Sequence, residues 1–272
     1  RRYAGKYSSP TPMVDDRDYF LDELIQEKWN EIVEPVSMPA EGILFLMYTS
    51  GSTGRPKGCQ HSIGGYLSYV TWMSKYVQDI HPEDVYWCMA DIGWITGHSF
   101  IVYGPLALAA STVIYEGVPT YPDPGRCWRI AEELDVNIFH TSPTAIRALR
   151  KVGGDEPAKY NYHFKHMTTV GEPIEPEVWR WYYNVVGRGK AVIVDTWWQT
   201  ETGGFLCSTL PAVNAMKPGS AGPGLPGIHP VIMDDEGNEI QPCEGKAVNI
   251  CIRNPWPGAF QTIWKDKERY IN

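Results

Sequence analysis

The chain reads as an α/β protein: parallel-sheet layers with flanking helices, followed by a small β-rich subdomain. Three observations predict this. From about residue 41 to 210, apolar runs of strand length alternate with stretches whose apolar positions recur at steps of three and four. That alternation implies parallel strands with helices packed on the sheet faces. Beyond about residue 210, proline, glycine and short alternating segments take over. The expected division is a connecting segment over 1–40, an α/β core over 41–210 and a β-rich subdomain over 211–272.

Taken in order, residues 1–40 are polar and proline-punctuated, with one helix expected around residues 19–29. Strands are expected at 43–49, 85–90, 111–115, 136–141, 166–170 and 191–195. Between them, residues 62–80 carry Ile63, Leu67, Val70, Met73, Val77 and Ile80 on one helical stripe. Residues 125–134, 143–152 and 175–186 also read as helices. Asp235-Glu236-Gly237-Asn238 reads as a hairpin turn between short strands.

Composition narrows the function classes. With 272 residues, 43% of them hydrophobic, the chain can bury a sizeable core. A net charge of −8 with no Lys- or Arg-rich run argues against a nucleic-acid partner. No apolar run reaches membrane-spanning length, so no membrane partner is expected. Six cysteines show no CxxC pair and no tight framework, which points to reduced thiols in a cytoplasmic protein.

The densest chemistry lies in Tyr48-Thr49-Ser50-Gly51-Ser52-Thr53-Gly54-Arg55-Pro56-Lys57-Gly58. The apolar residues 43–47 before it read as a buried strand, and a helix is expected directly after it. Glycines let a backbone close in on a ligand, and consecutive N–H groups form an anion-binding concavity. The positive end of the following helix would add to the field. Ser50, Ser52 and Thr53 bring hydroxyl donors and Lys57 a charge. The common P-loop spacing fails here, because Pro56 precedes the lysine and Gly58 follows it.

Three more segments fall where strands of a parallel sheet end, the edge at which such folds bind ligands. They are residues 91–98, residues 170–173 and residues 195–204. His163 and His166, three apart, lack the surrounding ligands that a metal needs.

With these residues in view, the chain resembles the adenylate-forming superfamily of acyl-CoA synthetases, peptide-synthetase adenylation domains and luciferases. Within it, the similarity is greatest to the AMP-forming acetyl-CoA synthetases (acetate–CoA ligases). Tyr48–Gly58 resembles the family's Thr/Ser/Gly-rich phosphate motif, Gly171-Glu172-Pro173 its GEP segment, and Asp195-Thr196-Trp197-Trp198-Gln199-Thr200-Glu201 its DTWWQTE segment. Residues 91–98, Tyr103-Gly104-Pro105-Leu106 and Pro143-Thr144-Ala145-Ile146-Arg147 are also close. The resemblance covers about residues 40–272 and implies an acyl-CoA synthetase-like fold. It also implies that a carboxylate attacks the α-phosphate of ATP, giving an acyl-adenylate and pyrophosphate, and that the coenzyme A thiol then displaces AMP.

The resemblance carries residue roles with it. Thr49, Ser50, Gly51, Ser52, Thr53, Gly54 and Lys57 hold the β- and γ-phosphates. Gly171, Glu172 and Pro173, with the backbone of Asp195, Thr196 and Trp197, line the adenine, and Trp198 and Gln199 belong to the same ATP-binding set. Thr200 donates to the α-phosphate, and Glu201 binds Mg²⁺, for which a lone carboxylate plus phosphate oxygens suffices. Lys57, Thr200 and Glu201 are the expected catalytic residues. Trp198 closes the acyl pocket, with Ile95, Thr96 and Val170 as walls, so acetate is expected first and propionate second. Thr96 and Thr120 contact coenzyme A, although the family has asparagine where this chain has Thr120. The family's ribose-binding aspartate, hinge and C-terminal lysine domain lie beyond Asn272, so the chain reads as the middle of a longer enzyme and is expected to need that missing C-terminal domain for catalysis. Two other readings stay open: a ligase for another small carboxylic acid, and a non-catalytic nucleotide-binding or interaction module.

Overall fold

The computed structural model describes residues 12–50, 54–241 and 249–271. Two compact units are present, residues 1–38 and residues 39–272. In the first, helix α1 spans Leu21–Glu27 and buries none of its side chains.

The second unit is built on a six-stranded sheet. In chain order its elements start with a hairpin, β1 (Ile43–Thr49) and β2 (Lys57–Ser62), then helix α2 (Ile63–Tyr76) and β3 (Val85–Cys88). Helix α3 (Ile95–Gly97) runs through a π-helical turn, His98–Tyr103, into α4 (Gly104–Ala107). Then follow β4 (Ser111–Val113), α5 (Arg126–Glu133), β5 (Ile138–Thr141), α6 (Pro143–Gly153), β6 (His166–Thr169), α7 (Pro176–Trp181) and β7 (Val192–Trp197). The remainder holds β8 (Cys207–Ser208), β9 (Pro230–Met233), β10 (Asn249–Ile252), β11 (Thr262–Ile263) and α8 (Lys267–Ile271). The large sheet has the order β4-β3-β5-β6-β7-β8. All its pairs are parallel except β7–β8.

Alternate residues of β3, β5 and β7 feed two cores, and β6 adds Met167 to one of them. Trp87, Phe139, Met167 and Ile193 face one, packed by α5, α6 and α7. Tyr86, Cys88, Ile138 and Val194 face the other, packed by α2 and residues 95–101. Burial on both faces explains the nearly continuous apolar strands. Local chemistry agrees: Ser142 caps α6 by accepting the Ala145 N–H at 3.2 Å, and Pro143 takes the first turn, where no N–H is needed.

The phosphate-motif hairpin departs from the expected strand-turn-helix. Lys57 opens a strand, not a helix, and α2 starts only at Ile63. β1 pairs β2 antiparallel from Thr49↔Lys57 onward, outside the parallel sheet. β1 is half-buried, not buried. No helix dipole therefore reaches the motif from α2. The reason is pairing: β2 satisfies its backbone between β1 and β11, so Lys57-Gly58-Cys59 gains a ladder that a helix would forgo. The expected strand at 136–141 is shorter, starting at Ile138, and the helix over 175–186 changes to a π-helical turn at Tyr182–Val186. In the C-terminal part, β9 pairs β10, and the Asp235–Asn238 turn closes with the Asn238 N–H on Asp234 Oδ1 at 2.7 Å. Residues 242–248, Cys243 among them, lie outside the described residues.

Candidate functional site

The hairpin is pinned to the helical layer by aromatic rings. Phe45 of β1 meets Tyr66 edge-on at 5.0 Å, His61 at 5.1 Å, His98 at 4.8 Å and Tyr103 at 6.1 Å. This fixes where Thr49, Ser50 and Lys57 emerge. Gly54 has φ +79°, a conformation that favours glycine. Gly51, Ser52 and Thr53 lie outside the described residues.

The turn after β7 is fixed from several sides. Thr202 Oγ1 donates to Gln199 O and Gly204 O, both at 2.8 Å. Gly203 turns the chain at φ +71°. The Trp256 indole donates to Thr202 O at 2.9 Å, and the Phe260 N–H donates to Glu201 O at 3.0 Å. Tyr66, Ser99 and Gly203 complete a buried relay, with Ser99 Oγ 2.6 Å from the Tyr66 hydroxyl and donating to Gly203 O at 3.1 Å.

The result brings β2 and this turn together. Lys57 Nζ lies 2.5 Å from Glu201 Oε1, both side chains half-buried. A cavity of about 300 Å³ is lined by Met47, Tyr48, Thr49, Ser50, Gly93, Trp94, Ile95 and Thr200. Thr49 Oγ1 is buried without a hydrogen-bond partner among the described residues, leaving its donor for an oxygen ligand. His61 sits behind the pair. Burial pulls its imidazole down to about 4, outweighing the opposing influence of Thr200 and Glu201, so it is neutral near pH 7.

A second cavity of about 440 Å³ is lined by Gly171, Glu172, Pro173, Asp195, Thr196, Trp197, Trp198, Gln199, Gly219 and Ala221. Two segments that are 22 or more residues apart in sequence thus share one wall. Asp195 lies inside β7, two residues before its end, so the strand runs further than the expected 191–195. Its carboxylate accepts from Thr169 Oγ1 at 2.6 Å and the Thr196 N–H at 3.0 Å. Burial still raises its pKa against those bonds.

Glu172 is committed elsewhere. Oε1 accepts the Thr144 N–H at 2.7 Å, in the first turn of α6, and Oε2 accepts from Arg147 at 2.7 Å. Burial pushes its pKa up, but the Thr144 and Arg147 contacts prevail and hold it below the usual range. Gly171 takes φ +94° beside it. Glu172 therefore offers the cavity its backbone more readily than its carboxylate. Arg147 as its clamp was not assigned from the sequence; a basic residue one helical turn into α6 is the signal that could have found it.

The four expected acyl-pocket residues do not line one cavity. Ile95 belongs to the first and Trp198 to the second. Val170 is buried at the end of β6, and Thr96 is half-buried in α3. Trp198 leans edge-on against Phe100 at 5.4 Å and Phe205 at 5.8 Å. Thr120 is half-buried in the loop after β4. Among the described residues no cluster of three or more His, Cys, Asp or Glu could hold a metal by itself.

Residues 5–264 match the AMP-binding enzyme family. A Sinorhizobium fredii protein named acetyl-coenzyme A synthetase is 53% identical over 273 residues, covering 100% of this chain and 41% of its own length. Its namesake from Wolinella succinogenes is 52% identical over 258 residues, covering 94% of this chain and 39% of its own length. One from Campylobacter jejuni is 48% identical over 265 residues, covering 97% and 40%. The chain thus spans about two-fifths of the length of the curated relatives it matches.

Proposed function

The chain belongs to the AMP-binding enzyme family, and from that premise we propose that the whole protein is an AMP-forming acetate–CoA ligase. It joins acetate to ATP as an acetyl-adenylate with release of pyrophosphate, then passes the acetyl group to coenzyme A with release of AMP. The observation that carries this reading is the Lys57–Glu201 pair beside the cavity of Thr49, Ser50 and Thr200. A cation, a carboxylate and a Thr49 hydroxyl unpartnered among the described residues at one end, with a second cavity along β7, match a molecule that is triphosphate at one end and base at the other.

In this reading Lys57 exchanges Glu201 for phosphate oxygens when nucleotide binds. Gly51, Ser52, Thr53 and Gly54 belong to the same phosphate-binding set. Glu201, released from Lys57, would hold Mg²⁺ together with those oxygens, and a single carboxylate fits that ion's habit of binding through phosphate. The ion supplies charge neutralisation on the phosphates. Thr200 donates to the α-phosphate as negative charge builds there, the kind of preorganised contact that lowers such barriers. Acetate needs no general base, because its carboxylate is already the nucleophile. The cavity of Gly171, Glu172, Pro173 and Asp195–Trp197 takes the adenine, with Glu172 contributing through its backbone. Trp198 forms the floor of the acyl site and keeps the acid short, with propionate the next acid accepted. Thr96 and Thr120 lie on the coenzyme A side.

The described cysteines are all free, which agrees with a reducing, cytoplasmic location. No helix among the described residues is long and apolar enough to cross a membrane. The test is acetate-dependent exchange of pyrophosphate into ATP by the protein at its full encoded length. The wild type is expected to exchange, and Lys57→Ala to lose about a hundredfold or more. Acid-independent behaviour, or full exchange in Lys57→Ala, contradicts the reading.

A further inference from the structure

The floor residue does not stand alone. Phe100 and Phe205 are both fully buried. Their rings stack at 4.3 Å with planes 14° apart. The Trp198 indole meets both edge-on, at 5.4 Å and 84° to Phe100 and at 5.8 Å and 82° to Phe205. Behind the stack lies His140 of β5, 5.5 Å from Phe100 and 6.3 Å from Phe205. Its Nδ1 is 2.9 Å from Gln78 Nε2, which also donates to the Tyr86 hydroxyl at 3.0 Å. The imidazole is fully buried and stays neutral.

The connectivity matters as much as the contact. Phe100 sits five residues after Ile95 in the π-helical turn, and Phe205 seven residues after Trp198, just beyond the Gly203 turn. Each of these two segments carries one cavity-lining residue and one half of the backing stack. An indole held edge-on by two stacked rings cannot retreat unless the stack gives way, because close-packed interiors leave no spare volume. A smaller residue at 100 or 205 opens space on the side of Trp198 away from the acid.

We propose that Phe100 and Phe205 are specificity-determining positioning residues that set the depth of the acyl site by holding the Trp198 indole forward. This deepens the acetate-ligase reading and rests on Trp198 being the floor. Shortening either ring lets the indole settle back, so a chain one or two methylenes longer fits without Trp198 itself being changed.

The test measures acid-dependent pyrophosphate–ATP exchange of the full-length protein with acetate, propionate and butyrate. It compares Phe100→Leu, Phe205→Leu and the reference variant Trp198→Gly. The leucine variants are expected to raise the butyrate-to-acetate ratio of kcat/KM about tenfold, the discrimination typical of a methylene in an apolar pocket. The change should lie in KM for the acid, with KM for ATP within about twofold of wild type. A purely structural loss would move both together. If a leucine variant does not fold, Phe→Met at the same position, close to leucine in volume but more adaptable in packing, reads the same ratio. If Trp198→Gly lengthens the preferred acid while the leucine and methionine variants keep the wild-type ratio, the stack is passive packing and this inference falls alone. If Trp198→Gly leaves the ratio unchanged, the floor assignment falls and takes the inference with it.

Discussion

Lys57 and Glu201 show how two residues 144 positions apart in sequence become one electrostatic unit, with a 2.5 Å contact between half-buried groups. Each would be costly to shield from water alone, and the pairing offsets that cost. Glu201→Gln removes the carboxylate while leaving the shape. It should raise the Mg²⁺ concentration needed for half-maximal exchange at least about tenfold, since a single ligand carries much of the site's affinity. An unchanged Mg²⁺ titration would move the metal elsewhere. Trp198→Gly removes the indole, and its preferred acid should shift by two or more carbons toward longer chains in a competition assay. An unaltered chain-length profile would show that the indole is not the floor. Glu201 and Trp198 were singled out by the DTWWQTE resemblance. Glu172 was singled out as well, but not its contacts: nothing in a linear segment tells that Thr144 and Arg147 occupy its carboxylate.

At the scale of elements, the turn after β7 is held by glycine chemistry. Gly203 has φ +71°, and a Cβ there would come within 2.2 Å of Gly258 O. Gly203→Ala therefore meets both backbone strain and a clash with backbone that cannot swing away. A loss of at least about 2 kcal/mol is expected, read as a lowered denaturation midpoint. Weaker pyrophosphate exchange should accompany it, because the Glu201 backbone rides on the same turn through the Phe260 N–H. A variant as stable as wild type would mean that the turn relaxes freely. Elements with strong periodicity were legible: α2 bears the stripe that runs through Val70 and Met73, both fully buried. β2 was not legible. Lys57-Gly58-Cys59-Gln60-His61-Ser62 has no apolar alternation, and its strand character comes from partners on both sides, β1 and β11, one of them about 200 residues away. The lysine's place at the foot of a hairpin, rather than at a helix start, follows from that long-range pairing and not from local propensity.

Across the whole molecule, three buried imidazoles set the response to acid. Burial lowers His61 to about 4, His140 to about 3 and His166 to about 4. Below the ordinary histidine value of about 6.5 the unfolded chain takes up protons that the folded chain refuses, so stability falls as pH drops toward 4. Asp195, whose pKa burial raises, works in the opposite sense. Burial lowers His98 as well, and with four imidazoles against Asp195 the melting temperature should fall by at least about 5 °C between about pH 7.5 and pH 5. A flat profile over that interval would show that these histidines are charged or solvated in the fold. The α/β layering was readable because strands buried on both faces and helices with one apolar stripe are dictated locally. The antiparallel sheet of β1, β2 and β11 was not, since it joins the two ends of the second unit.

In the proposed reading the two cavities take the two ends of one ligand, and that claim is tested most directly by determining the structure of the full-length protein with an unreactive acetyl-adenylate mimic and with MgATP. The account predicts the adenine between Gly171–Pro173 and Asp195–Trp197, the β- and γ-phosphates against Ser50 and Lys57, and the acetyl methyl toward Trp198. Density for the base outside that cavity, or phosphates bound with Lys57 still on Glu201, would contradict it.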